Sequence, residues 1–192
     1  LFIFSSSHLT TFNATSWNFP SLEELVLNCN NFTVIPHQIA TFGNLTSLIM
    51  SNNQIKFIDM QIFARLRSLT KLCLDNNHIA NIIGELKLPV LSHLRLDMNR
   101  LVELDVSQWY LPALNSINLR SNLLKSVVGF TKRFGGTNSI DLYEGQWDCS
   151  WLEEVGRSIS GMVINYIYHN SSLQYCYGNR GHFLYDRRVC SL

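Results

Sequence analysis

Along the first 142 residues the apolar positions recur in one frame. Leu22, Leu25 and Leu27 are followed by Asn30 and then Phe32 in "LEELVLNCNNF". The frame returns as "LTSLIMSNNQI" from Leu45, "LTKLCLDNNHI" from Leu69, "LSHLRLDMNRL" from Leu91 and "LNSINLRSNLL" from Leu114. Successive first leucines lie 23, 24, 22 and 23 residues apart, the period of a stacked coil rather than of a single amphipathic helix. A degraded copy, "TNSIDLYEGQW", keeps Ile140 and Leu142 but has Gly145 where the asparagine would stand. Upstream, Phe2, Phe4, Leu9 and Phe12 fall one period before Leu25, Leu27, Phe32 and Ile35, so the first coil is incomplete.

Alternate residues of a strand point to opposite faces, so Leu25 and Leu27 go inward and Val26 goes out. After the strand the chain must turn inside the coil, where backbone groups have no sheet partner. A buried asparagine amide carries donors and an acceptor together, so Asn30, Asn53, Asn77, Asn99 and Asn122 are expected to form a ladder bonding the backbone of their own and adjoining coils. The return segments place Ile39, Phe42, Ile62, Phe63, Leu66, Trp109 and Leu111 where they would close the convex side. Those segments are short, which predicts loops, helical turns or 3₁₀ segments there. The expected fold is an α/β solenoid of six or seven right-handed coils with a parallel sheet on its concave face.

The period stops near Gly145. The chain divides into repeats over 1–142 and a C-terminal cap over 143–192. A solenoid needs such a cap because its last coil exposes an apolar edge. Trp151, Leu152, Val155 and Ile159 recur at helical spacing, and "MVINYIYH" reads as extended. Cys149, Cys176 and Cys190 fall in this part, giving one bridge and one cysteine left over. Cys149 is open to either Cys176 or Cys190, since spacing does not settle connectivity. Cys73 lies on the outward side of its strand, and Cys29 is expected to be partly buried in the turn before Asn30. A bridge between them would skip a repeat and exceed the roughly 7 Å between Cα atoms that a disulfide spans. Both are therefore read as free thiols.

Composition changes this picture little. A formal charge of +1 gives no electrostatic case for nucleic acid. No apolar run approaches the roughly 18 residues that cross a membrane. Sequons at Asn13, Asn31, Asn44 and Asn170, with a cysteine-containing cap, favour secretion. Histidines are scattered at His8, His37, His78, His93, His169 and His182, with no HExxH pair, zinc spacing, phosphate loop or GxSxG elbow. No enzyme, metal or cofactor is expected.

The repeats and the "WDC" element followed by a helix and later cysteines resemble extracellular leucine-rich-repeat proteins with cysteine-containing C-terminal caps, and most nearly the mosquito leucine-rich-repeat immune proteins of the LRIM and APL type. The chain departs from those caps in having Cys190 followed by Ser191 rather than a second cysteine. The resemblance implies a secreted innate-immune factor that binds or stabilises another defence protein, with a complement-like or other immune protein as partner. A disulfide-linked oligomer, or one formed through the open N-terminal coil, is the assembly to look for. A receptor ectodomain, Toll-like or adhesive, and a structural matrix protein are the rival readings.

The site expected to carry recognition is the concave face, where outward residues stack in columns. Val26, Ile49, Cys73, Arg95, Asn118 and Asp141 form one; Asp75, Asp97, Arg120 and Tyr143 belong to the next; Lys71 and His93 belong to the preceding one. An apolar end beside a charged end would anchor and orient a protein ligand. Asn31 and Asn44 lie off the strands, so glycans there would leave this face open.

Overall fold

A computed structural model describes residues 1–11 and 19–158, and the backbone of 163–165. Seven short strands repeat the expected frame: β1 (Phe2–Ile3), β2 (Glu24–Val26), β3 (Ser47–Ile49), β5 (Lys71–Cys73), β7 (His93–Arg95), β8 (Ser116–Asn118) and β9 (Ser139–Asp141). With β10 (Val163–Asn165) they form one eight-stranded parallel sheet in the order β1-β2-β3-β5-β7-β8-β9-β10. The register follows the repeat without a slip. Leu25 pairs with Leu48, Leu48 with Leu72, Leu72 with Leu94, Leu94 with Ile117 and Ile117 with Ile140. A one-residue shift would turn every leucine outward, so the apolar rows themselves hold the register.

Behind the sheet, those leucines and a second row (Leu27, Met50, Leu74, Leu96, Leu119, Leu142) are buried in one continuous core. Each fully buried aliphatic side chain contributes about 1.5–3 kcal/mol relative to exposure, so the rows are the main driving force. The convex side is closed by 3₁₀ turns over His37–Thr41 and Met60–Phe63 and by the helix α1 (Phe130–Phe134). Ile39, Phe42, Phe63, Leu66, Trp109 and Leu111 are buried there, with Ile62 half-buried against them. A second, two-stranded parallel sheet joins β4 (Phe57–Asp59) to β6 (Asn81–Ile83), which the repeat frame did not predict.

The asparagines Asn30, Asn53, Asn77, Asn99 and Asn122 are buried at the end of successive strands. The Asn77 amide nitrogen donates to the carbonyls of Met50, Leu74 and Asp75 at 3.0, 3.1 and 3.2 Å. Its side-chain oxygen accepts from the Ile55 N–H at 3.0 Å. Asn99 repeats the pattern one coil on, with Leu74, Leu96 and Asp97 as acceptors and Ile79 as donor. Every such amide therefore satisfies its own coil and the one before it.

Two features of the turn have no counterpart in the repeat frame. The residue before each asparagine is left-handed, with φ of 55° at Cys29, 56° at Asn52, 51° at Asn76, 54° at Met98 and 52° at Ser121. Asparagine tolerates that conformation through its short polar side chain, whereas methionine bears the steric cost in full. At the last coil the missing rung is supplied from elsewhere. The Trp147 indole N–H donates to the Leu142 carbonyl at 2.6 Å, the bond that Asn122 makes to Leu119 one coil earlier. Gly145 leaves room for this ring, because a Cβ there would lie 2.0 Å from the indole nitrogen.

After the last repeat strand comes α2 (Cys149–Ser158), which buries Leu152 and Val155 and half-buries Trp151. Trp151 stacks on Trp147 with ring centroids 4.9 Å apart and meets Phe130 edge-on. β10 then adds to the sheet beside β9. Ile159 lies outside the described residues.

Candidate functional site

The strand pairing places the outward residues in register across the concave face. Val26, Ile49, Cys73, Arg95, Asn118 and Asp141 follow one another as direct neighbours, and Lys71, His93 and Ser116 do so in the column beside them. The two ends of this face differ in chemistry and in exposure.

At the N-terminal end Val26, Ile49 and Cys73 form a small buried cluster of their own, separate from the core behind the sheet. They are 3%, 9% and 0% exposed, although all three stand on the outward side of their strands. Cys73 is disulfide-bonded, which corrects the free thiol expected from spacing. Cys29 is free and exposed rather than tucked into its turn, at a left-handed backbone position. Cys149 is disulfide-bonded as well, while Cys176 and Cys190 lie outside the described residues.

At the C-terminal end the columns are polar and partly open. Arg95 makes a two-pronged contact with Asp97, its Nε and Nη2 donating to the two carboxylate oxygens at 2.9 and 2.8 Å. The same guanidinium lies 3.4 Å from Asp75, which also accepts a 2.7 Å hydrogen bond from the Ser51 hydroxyl. Paired arginine and carboxylate planes of this kind fix orientation as well as charge. Burial pushes the Asp75 carboxyl above the usual carboxylate range, and the Ser51 bond and the Arg95 charge only partly oppose it. Burial also raises Asp141, against the Tyr143 N–H and the charge of Arg120. For Arg95 burial works against the charged form, but the Asp97 bond and the charges of Asp97, Asp75 and Asp141 outweigh it, so its pKa is raised. His93 is held below its ordinary value by burial first and by Lys71 second, which favours its neutral form.

One coil further, Arg120 reaches Glu144 at 3.2 Å and lies over the Tyr143 ring, 4.8 Å from its centre. The Ser121 hydroxyl donates to the same Glu144 oxygen at 2.7 Å. Asn118 and Asp141 each accept a backbone N–H two residues on, from Arg120 and Tyr143, at 3.0 Å. These local bonds set the direction in which the strand ends present their side chains. Glu144 and Ser121 were missed from sequence because they stand at the left-handed turn position, not on a strand.

Of the sequons, Asn44 is exposed in a loop and Asn31 is half-buried beside Gln54. Asn13 and Asn170 lie outside the described residues. Among the described residues no group of three or more histidine, cysteine or acidic side chains could hold a metal ion, and no helix is long and apolar enough to cross a membrane.

Comparisons with known proteins agree with this architecture. The leucine rich repeat family model matches residues 20–79. The human leucine-rich repeats and immunoglobulin-like domains protein 1 is 28% identical over 150 residues, covering 64% of this chain and 14% of that protein. A solved leucine-rich-repeat protein of Leptospira interrogans superposes with a TM-score of 0.55 at 20% identity, over 76% of this chain and 43% of the other. The crystal structure of the LRIM1/APL1C complex gives 0.58 at 18% identity, over 72% of this chain and 26% of the other. The chain thus spans less than half the length of each of these proteins. It carries the leucine-rich-repeat fold.

Proposed function

We propose that this chain is an extracellular protein-recognition module whose ligand binds the C-terminal half of the concave face. The observation that carries the reading is the set of half-exposed His93, Arg95, Asn118, Arg120, Asp141 and Tyr143, pre-ordered by ion pairs and strand-end hydrogen bonds on a rigid sheet. Rigid aromatic and arginine groups that need little further ordering are the side chains that dominate binding energy. Residues Lys71, Asp75 and Asp97 support them from below or beside; Val26, Ile49 and Cys73 form the apolar end of the same face.

The likeness to the LRIM1/APL1C complex supports an innate-immune role and a protein partner of that class. A secreted life, N-glycans at Asn13, Asn31, Asn44 and Asn170, and a cap stapled through Cys149 to Cys176 or Cys190 complete the reading. A second reading is a receptor ectodomain, Toll-like or adhesive; what supports it is only that the chain matches 14% of a longer human relative whose name joins leucine-rich repeats to immunoglobulin-like domains.

The test is a parallel screen of the wild-type chain, Arg120→Glu and the exposed helix control Lys132→Glu against an arrayed set of extracellular proteins. A partner lost with R120E and kept with K132E supports the concave reading. Partners indifferent to both variants overturn it.

A further inference from the structure

At the N-terminal end of the concave face, away from the charged half, lies a cavity of about 330 Å³. That is the small end of the roughly 300–1,000 Å³ that ligand sites occupy, enough for one side chain and its flanking groups. Its apolar lining is Val26 and Ile49, which are buried, and Ile3, which is 48% exposed. Glu24, Ser47 and Lys71 line it as well. Strand pairing makes these three successive members of one column, so a carboxylate, a hydroxyl and an ammonium follow one another at steps of about 4.8 Å.

None of the three is spent on the protein. Among the described residues Glu24 and Lys71 have no ion pair, and the Ser47 hydroxyl has no hydrogen bond. The threonines beside them differ: the Thr46 and Thr70 hydroxyls donate to the Glu23 and Thr46 carbonyls at 3.0 and 2.9 Å. In the charged half both arginines lie against carboxylates, Arg95 against Asp97 at 2.8 Å and Arg120 against Glu144 at 3.2 Å. Glu24 and Lys71 instead stand two strand steps apart, about 10 Å, which is one Debye length at about 0.1 M salt. They are too far apart to neutralise each other, and the cavity lies beside them both.

We propose that this cavity binds an extended segment of a partner protein in which a basic, an apolar and an acidic residue alternate with spacers. The basic group faces Glu24, the acidic group faces Lys71, and the apolar side chain between them enters against Ile3, Val26 and Ile49. Side chains on one face of an extended segment recur at about 7 Å, so the two charged residues stand about 13 Å apart with the apolar one midway. The long Glu24 and Lys71 side chains span the difference from their own separation. Charge order selects the segment and the apolar contact anchors it. This site is separate from the charged half, so a partner that spans the face engages two unlike surfaces.

The experiment titrates the isotope-labelled chain with three end-blocked peptides at millimolar concentration and follows amide NMR shifts. The peptides are Lys-Thr-Leu-Thr-Glu, Lys-Thr-Leu-Thr-Lys and Glu-Thr-Leu-Thr-Glu. The mixed peptide should bind about tenfold more tightly than either like-charged one, with shifts centred on β2, β3 and β5. Lys71→Glu should move the preference to the doubly basic peptide, and Glu24→Lys to the doubly acidic one. A variant that had lost its fold could gain affinity for neither. Equal binding of all three peptides, or a preference unchanged by Lys71→Glu, overturns the proposal. Self-association of the chain that Lys71→Glu abolishes, with no peptide preference, assigns the cavity to a second copy and also overturns it. Arg120→Glu should leave the peptide preference as it is, so this site and the recognition function proposed for the charged half fail separately.

Discussion

The two halves of the concave face stand on the same foundation and carry different chemistry. β2, β3 and β5 share with β7, β8 and β9 one register, the same inward leucine rows and the same asparagine rungs. On the outward positions the first three strands present Val26, Ile49 and Cys73, and the last three present Arg95, Asn118 and Asp141. The inward rows are constrained by close packing, in which even one methylene is felt. Of the outward positions, Val26, Ile49 and Cys73 are packed in a buried cluster of their own, whereas Arg95, Asn118 and Asp141 are half-exposed and leave more room for chemistry to vary without disturbing the coil.

The shared foundation is the place to break both halves at once. Asn77 lies between them, bonding carbonyls of the β3 and β5 coils and the Ile55 N–H. Asn77→Ala should destabilise the chain by about 3 kcal/mol, because buried backbone groups lose their partner. Urea unfolding followed by tryptophan fluorescence checks this, as a fall in midpoint.

A smaller effect should be confined to the charged half. Arg95→Met leaves Asp97 and Asp75 facing each other without their shared cation, and should cost about 2 kcal/mol at pH 7. The figure is below that for a fully buried pair because the Arg95 side chain is 22% exposed. At acid pH, where the carboxyls are protonated, the loss should shrink. Ile49→Met, a volume-conserving change in the apolar half, should show no such pH dependence.

The pH response sharpens the contrast further. Burial raises Asp75 and Asp141 above the usual 3.8, so the native state keeps these protons to a higher pH than the unfolded chain. Stability attributable to them therefore falls as pH climbs from 3.8 through the raised values, and is level above. Carboxyl-carbon NMR should find Asp75 and Asp141 titrating above Asp105, whose pKa is lowered by its bonds to Ser107. Asp75→Asn should flatten the acid limb of the stability curve.

The smallest change concerns the turn before the rung. Met98 is left-handed and exposed, so Met98→Asn should stabilise by about 0.5 kcal/mol, read as a rise in Tm of a few degrees at most.

Much of this was legible in the sequence, and for a physical reason. The leucine spacing is a direct consequence of a strand's period of two, so Leu25, Leu48 and Leu72 announce both the coil and its register. The column order Val26, Ile49, Cys73, Arg95 follows from the same period. Contacts that depend on residues outside the frame were not legible. Trp147 supplies the last rung from two positions beyond the vacant asparagine site, and nothing in the repeat says that an indole can reach that carbonyl. The left-handed residue shows in sequence only where it happens to be asparagine, as at Asn52 and Asn76, and is hidden at Met98 and Ser121. The bonding of Cys73 was missed because its spacing from Cys29 excluded that one partner, and the repeat frame carries no other information on cysteine pairing.

The most direct test of the central claim places a photo-reactive residue at Asn118, in the charged half, and in a second variant at Val34, exposed and off the concave strands. Each is irradiated with a partner recovered from the extracellular array. The account predicts cross-links to the partner from position 118 and none from position 34. Cross-links from 34 with none from 118 would contradict it, and would move recognition off the concave face.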